Sequence, residues 1–211
     1  MAIIKTVNTI ASENTYYISN EQALLLVDPG SNGADIIKQI RRFQQPLVAI
    51  LLTHTHYDHI MSLDLVRETF NFPPVYVAKK EADWLLSPKD NLSGLIRHAK
   101  LPDIATQPAE EHFQFKKPYH LHGFTFTVVE TPGHSIGGVS IIFPQDQIVL
   151  TGDALFRESI GRTDLPTGNY AQLLQSIKEE LLTLPNHYQV YPGHGAPTTI
   201  AHEKMANAFL H

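Results

Sequence analysis

Short apolar runs along this chain alternate with stretches in which apolar residues recur every three or four positions, and turn residues close both kinds. Continuous or alternating apolar segments predict strands over residues 3–7, 16–18, 23–27, 48–52, 75–78, 124–129, 139–143, 148–150 and 189–191. Helical spacing predicts helices over 33–43, 59–70, 80–86, 170–182 and 200–210, the first entered through the turn Asp28-Pro29-Gly30-Ser31-Asn32. Strands alternating with helices in both halves of the chain define an α/β protein. Between residues 87 and 117, Pro88, Pro102 and Pro108 interrupt scattered charge without a clear period. That stretch is expected to be a long, partly helical connection of the kind that often lines sites.

One local pattern recurs four times: an apolar strand ends in a potential metal ligand. Val48-Ala-Ile-Leu-Leu-Thr53 runs into His54, His56, Asp58 and His59, and Phe126-Thr-Val-Val-Glu-Thr-Pro-Gly133 runs into His134. Ile148-Val-Leu-Thr-Gly152 leads to Asp153, and Tyr188-Gln-Val-Tyr-Pro-Gly193 to His194. Loops at the carboxyl ends of strands in layered α/β proteins gather side chains at one sheet edge, so four such ends can meet.

Composition narrows the chemistry. With 211 residues and 43% hydrophobic content, the chain is expected to form a single domain over residues 1–211. The absence of cysteine removes disulfides, thiolate metal sites, Fe–S clusters and a cysteine nucleophile, so any metal is held through nitrogen and oxygen. A formal charge of −5 disfavours nucleic acid and acidic membrane surfaces as partners. Residues 1–20 mix Lys5, Asn8, Ser12, Glu13 and Asn14 into their apolar positions, unlike a signal peptide, and the longest apolar run is too short for a bilayer. A cytoplasmic location without a membrane anchor is therefore expected.

His54 and His56 lie two apart on an extended segment, where side chains point the same way and can grip one ion together. Asp58 and His59 follow where the chain turns into a helix and can serve a second ion nearby. His134 and His194, each after a Pro-Gly turn, offer one further imidazole per metal, and the Asp153 carboxylate has two oxygens able to bridge both. Zinc comes first for such a set, with iron and manganese also accepted by imidazole and carboxylate. Water shared by two such cations is acidified toward a pKa of about 7, giving a bridging hydroxide that attacks a thioester, ester, lactone or amide carbonyl. Asp58 and Asp153 thus carry catalytic as well as ligating duty. The other histidines, His98, His112, His120, His122, His187, His202 and His211, stand singly and are read as solvated or core residues.

Thr53-His-Thr-His-Tyr-Asp-His59, Thr131-Pro-Gly-His134, Thr151-Gly-Asp153 and Tyr191-Pro-Gly-His-Gly195, in this order, resemble the metallo-β-lactamase superfamily and, within it, short glyoxalase II-like hydrolases. The resemblance spans nearly the whole chain. It implies an αββα sandwich of two mixed sheets flanked by helices, with one metal on His54, His56 and His134 and a second on Asp58, His59 and His194. Asp153 bridges them, and Asp28 is a residue that orients a ligand. It also implies hydrolysis of a small-molecule thioester or related ester, with S-lactoylglutathione as the example.

Two features qualify the substrate. Glyoxalase II enzymes carry a further C-terminal helical region that helps bind glutathione, whereas this chain ends at His211, 17 residues after His194. Ile160-Gly-Arg-Thr-Asp-Leu-Pro166 is similar to a segment of persulfide dioxygenases, which use one iron; Arg162 and Asp164 either touch substrate there or pin the loop. A mononuclear iron persulfide dioxygenase is therefore the alternative activity. A serine hydrolase through Ser135 is a weaker rival: Gly133-His-Ser-Ile-Gly137 fits a nucleophile elbow, but residues 139–143 read as a strand where a helix is required. The acyl group, the thiol carrier, the oligomeric state and the metal in the cell are not encoded legibly.

Overall fold

The computed structural model describes residues 1–95 and 100–211. Two compact units, Met1–Phe113 and Gln114–His211, each contain a six-stranded mixed sheet, in keeping with the expected α/β class. No helix among the described residues is long and apolar enough to cross a membrane.

The first unit carries β1 (Ala2–Val7), β2 (Asn14–Ser19), β3 (Leu24–Val27), β4 (Leu47–Leu51), β5 (Val75–Val77) and β6 (Glu111–His112), hydrogen-bonded in that order. The first two pairings are antiparallel and the rest parallel. Strand β1 lies on the edge and exposes Ala2, Ile4 and Val7, whereas the interior strand Leu24–Val27 is buried throughout. Helix α1 (Gly33–Phe43) turns Ile36 and Ile40, one helical turn apart, onto the core formed with Leu24, Leu26 and Ile50.

The helix predicted over 59–70 is broken into α2 (Tyr57–Ile60) and α3 (Leu63–Thr69). The Ser62 N–H donates to the Pro29 carbonyl at 3.0 Å, and its hydroxyl donates to the Gly30 carbonyl. These bonds replace the helical ladder at that point and tie the end of α2 to the loop after β3. The helix predicted over 80–86 is a 3₁₀ helix, Lys79–Leu86. In the long connection expected over 87–117, the described residues form turns and β6, and the part of it at 96–99 lies outside the described residues. The Asn91 amide fastens this segment, donating to the carbonyls of Trp84 at 3.2 Å and Ile104 at 2.7 Å.

In the second unit, β7 (Pro118–Leu121), β8 (Phe124–Glu130), β9 (Val139–Phe143) and β10 (Ile148–Gly152) are followed by the small hairpin β11 (Leu155–Phe156) and β12 (Ser159–Ile160). Strands β13 (Gln189–Pro192) and β14 (Thr198–Thr199) complete the main sheet, ordered β14-β13-β10-β9-β8-β7. Strands β8 and β10 both run antiparallel to β9, and β13 runs parallel to β10. The carboxyl ends of β8, β10 and β13 therefore share one edge of this sheet.

Leu173, Ile177 and Leu181 recur at fours and pack with Val149 and Val190. The helix predicted over 170–182 carries them as α4 (Tyr170–Ser176) followed by a π-helical turn, Ile177–Leu181. The helix predicted over 200–210 ends early, as α5 (Ile200–Ala206), because the extended Asn207 stops it and caps the 3₁₀ turn Ala208–Leu210. Strands β6, β11, β12 and β14, two residues each, escape sequence reading because they are too short to express a period of two, and β7 because Pro118-Tyr-His-Leu121 carries no apolar run.

Candidate metal centre

The parallel pairing of β3 with β4 sets their carboxyl ends side by side, so Asp28 after one meets Thr53 after the other. Thr53 donates its backbone N–H to Asp28 Oδ1 at 2.8 Å and its hydroxyl proton to Oδ2 at 2.6 Å. That hydroxyl has a single proton. At 3.1 Å from His54 Nδ1 it must therefore accept, which places the His54 proton on Nδ1. His59 Nδ1 lies 3.0 Å from Asp28 Oδ2 and donates to it by the same logic. Both rings are left with a lone pair on Nε2, the tautomer a metal ligand needs.

His54, His56, Asp58 and His59 cluster within this unit. The His54 ring centre lies 4.7 Å from that of His56 and 4.1 Å from that of His59, and Asp58 Oδ2 is 3.9 Å from His59 Nε2. Asp28 itself adopts φ +50°, a left-handed conformation that Asp tolerates better than most residues. The Thr15 hydroxyl holds it there by donating to the Asp28 carbonyl at 2.7 Å.

Sequence reading missed Glu13, which is fully buried just before β2, with Oε1 3.9 Å from His59 Nδ1. Burial pushes its carboxyl well above the ordinary range; His59 and the Asn8 amide pull it back, and Asp28 and Asp58 push it further up. Gly30 makes room for it, since a Cβ there would fall 2.0 Å from Glu13 Oε2. Nothing in a lone Glu between two strands marks it as special.

The second unit gathers His134, Asp153 and His194 at the shared sheet edge. Gly133, at φ +127°, lets the His134 loop lie against α4: a Cβ there would sit 2.4 Å from the Leu173 nitrogen. The Asn169 N–H fixes the same loop by donating to the Gly133 carbonyl at 2.7 Å. The Gly193 N–H donates to the Gly152 carbonyl at 2.8 Å and brings the β10 and β13 ends together. As a result, Asp153 Oδ2 stands 3.4 Å from His134 Nε2 and 3.3 Å from His194 Nε2.

His134 Nδ1 is 2.8 Å from the Arg162 carbonyl, which can only accept, so its proton is on Nδ1 and its Nε2 lone pair faces the Asp153 carboxyl group. Two electron-rich atoms turned toward each other suit a shared cation. The donor chemistry of both units therefore fits a metal: nitrogen and oxygen donors, with a backbone carbonyl or a carboxyl group holding the far side of the ring.

Arg162 thus reaches His134 through its carbonyl. Its exposed guanidinium grips Asp164 at both ends, Nε to Oδ1 and Nη2 to Oδ2, each at 2.6 Å. Of the two roles considered for this pair, pinning the loop has a geometric basis. Gly161, also missed from sequence, lies in the same loop against Asp153: a Cβ would fall 1.8 Å from the Asp153 carbonyl oxygen and 3.2 Å from His134 Cβ.

Among the described residues, groups of three or more histidine and acidic side chains able to share an ion draw only on Glu13, Asp28, His54, His56, Asp58, His59, His134, Asp153 and His194. His202 instead meets Glu158 at 2.8 Å, and His120 meets Thr125 at 3.2 Å. His98 lies outside the described residues. Ser135 is fully buried, its Oγ has no hydrogen-bond partner among the described residues, and β9 rather than a helix follows it. A serine nucleophile needs an adjacent base and access to substrate, and Ser135 has neither.

A model of the metallo-β-lactamase superfamily matches residues 9–194. The chain belongs to this superfamily, has its fold of two mixed sheets with helices, and is a metal-dependent hydrolase. A probable metallo-hydrolase of Streptococcus pyogenes is 64% identical over 100% of this chain and 91% of its own length. Hydroxyacylglutathione hydrolase GloC of Haemophilus influenzae is 32% identical over 90% of this chain and 89% of its own.

Among solved structures, BLEG-1 B3 metallo-β-lactamase superposes with a TM-score of 0.93 at 38% identity, covering 99% of each chain. TTHA1623 in a di-iron-bound form gives 0.83 at 31%, covering 98% of this chain and 100% of that one. ETHE1 from Myxococcus xanthus gives 0.78 at 27%, over 99% and 84%.

Proposed function

We propose that this protein hydrolyses the thioester of a small thiol conjugate, of the S-lactoylglutathione kind, with two divalent ions held jointly by its seven ligands. His54, His56 and His134 would hold one ion, Asp58, His59 and His194 the other, and Asp153 both. The observation that carries the proposal is Asp153 Oδ2 standing 3.4 and 3.3 Å from two imidazole Nε2 atoms, one of which has its proton fixed on the far nitrogen. The di-iron form of TTHA1623 supports two ions, and the likeness to GloC supports a glutathione thioester. Zinc is the proposed metal, with iron as the alternative that TTHA1623 brings forward.

A bound ion pair supplies Lewis acidity, acidifying a water toward a pKa of about 7 and polarising an acyl carbonyl. The chain's own contribution is to hold the ligands still. Asp28 and Thr53 fix the tautomers of His54 and His59, and the Arg162 carbonyl fixes that of His134. None of the residues gathered here is needed as a covalent nucleophile.

The test is a substrate panel run on protein of measured metal content. Hydrolysis of S-lactoylglutathione or a related thioester, lost on chelation and restored by zinc, is the expected result. Two other activities have specific support. The likeness to BLEG-1 favours a β-lactam amide, read with a chromogenic cephalosporin. The likeness to ETHE1, with the Arg162-Thr-Asp164 segment, keeps a one-iron persulfide dioxygenase in view. Thiol-dependent oxygen uptake with one iron per chain, and no thioester turnover, would replace the hydrolase.

A further inference from the structure

The loop carrying His54 and His56 is braced from outside the sheet by a residue with no assigned role. Thr55 lies between these histidines on an extended segment, so its side chain points opposite to theirs. Its backbone N–H donates to Glu81 Oε2 at 2.8 Å, and its hydroxyl donates to the same oxygen at 3.1 Å. Glu81 is fully buried and sits in the first turn of the 3₁₀ helix Lys79–Leu86. That helix also sets Trp84 beside His56, with ring centres 6.4 Å apart and planes within 17° of parallel. One short helix therefore holds the middle of the His-Thr-His segment at its back and covers one of its histidines.

We infer that Glu81 is a positioning residue for the metal held through His54 and His56, acting through Thr55. The inference rests on the two-ion reading above. Burying a carboxyl group for a purely local cap is costly, and a surface turn would not need it. Here the two bonds from Thr55 determine where the peptide between the histidines lies, and hence how far apart the two rings stand. A shift of a few tenths of an ångström at Thr55 spoils the grip of both rings on one ion. The other ligands of the first unit, Asp58 and His59, follow in α2 and are secured separately, His59 by Asp28.

The test is titration of metal-free full-length protein with cobalt(II), read by its visible absorption bands, together with circular dichroism of the metal-free proteins. Glu81→Ala is expected to weaken one of the two cobalt equivalents by about 10–100-fold, the usual cost of losing a group that orients a ligand, and to alter its bands. The second equivalent stays close to wild type. Glu81→Gln, whose amide oxygen can still accept from Thr55, recovers most of the affinity, which a purely charge-based effect would not allow. Wild-type affinity and bands in Glu81→Ala overturn the inference while leaving the two-ion reading intact. Wild-type protein that takes up no cobalt overturns both. If Glu81→Ala fails to fold, Thr55→Ala replaces it: loss of the hydroxyl bond should weaken the same equivalent by about twofold to tenfold, and unchanged binding counts against Glu81.

Discussion

Asp28 Oδ2 accepts from His59 Nδ1 at 3.0 Å, and the same oxygen accepts the Thr53 hydroxyl proton at 2.6 Å, so one carboxyl group sets the tautomers of two imidazoles. Its position follows from topology: β3 and β4 are parallel neighbours, and Asp28 and Thr53 leave them at the same edge.

Asp28→Asn tests this arrangement without disturbing the backbone, because Asn accepts φ +50° as readily as Asp. The amide has one acceptor where the carboxyl group has two, so either the Thr53 backbone N–H, or the Thr53 hydroxyl together with His59 Nδ1, loses its acceptor and faces an NH2 group. Metal affinity is expected to fall about 10–100-fold with the far-ultraviolet dichroism unchanged. Titration against a fluorescent zinc chelator measures it, and wild-type affinity would mean that Asp28 is only a turn residue.

Gly161→Ala is expected to disrupt the second unit's ligand set. The added methyl would lie 1.8 Å from the Asp153 carbonyl oxygen, so the backbone carrying Asp153 or the loop carrying Arg162 has to move. Overpacking of this kind costs about 1–3 kcal/mol in stability. Calorimetry should show a lower Tm, and the metal content of the purified variant should fall with it. A variant with wild-type Tm and metal content would show that the loop yields freely.

Ser135→Ala should leave turnover unchanged and the Tm equal or slightly higher. The hydroxyl is buried with no hydrogen-bond partner among the described residues, so deleting it removes a desolvated polar group and breaks no bond. Loss of more than about tenfold in kcat, roughly 1.4 kcal/mol, would return Ser135 to the chemistry.

Much of the ligand set was visible in sequence because an apolar or alternating run announces each of β4, β8, β10 and β13, and each leads into His or Asp. The supporting residues were not. Glu81 meets Thr55 across 26 positions, and His134 meets the Arg162 carbonyl across 28, so neither contact leaves a periodic trace. Gly161 resembles any loop glycine until Asp153 is placed beside it. The break between α2 and α3 was hidden for a similar reason: the apolar spacing continues through Ser62, and only the carbonyls of Pro29 and Gly30 divert its donors.

Tyr17 supplies a pH signature independent of metal. Burial raises its hydroxyl from 10.0 to about 12, against a lowering by the hydrogen bond with Thr6. Above pH 10 the unfolded chain releases this proton and the folded chain does not. Stability is therefore intact below pH 10 and declines between about pH 10 and 12, by on the order of 2 kcal/mol. Tyr17→Phe should flatten that decline in urea unfolding curves, at a cost near neutrality of about 1 kcal/mol for the lost bond. An identical alkaline slope in both proteins would rule out Tyr17 as its source.

Metal content per chain, measured by elemental analysis after loading with excess zinc and gel filtration, bears most directly on the joint ligand set. Wild-type protein should hold two ions per chain, and Asp153→Ala, which removes the carboxyl group placed between His134 and His194, should hold fewer than one while remaining folded. Two ions retained by Asp153→Ala, or a wild type saturating at one, would contradict a pair of cations sharing that carboxyl group.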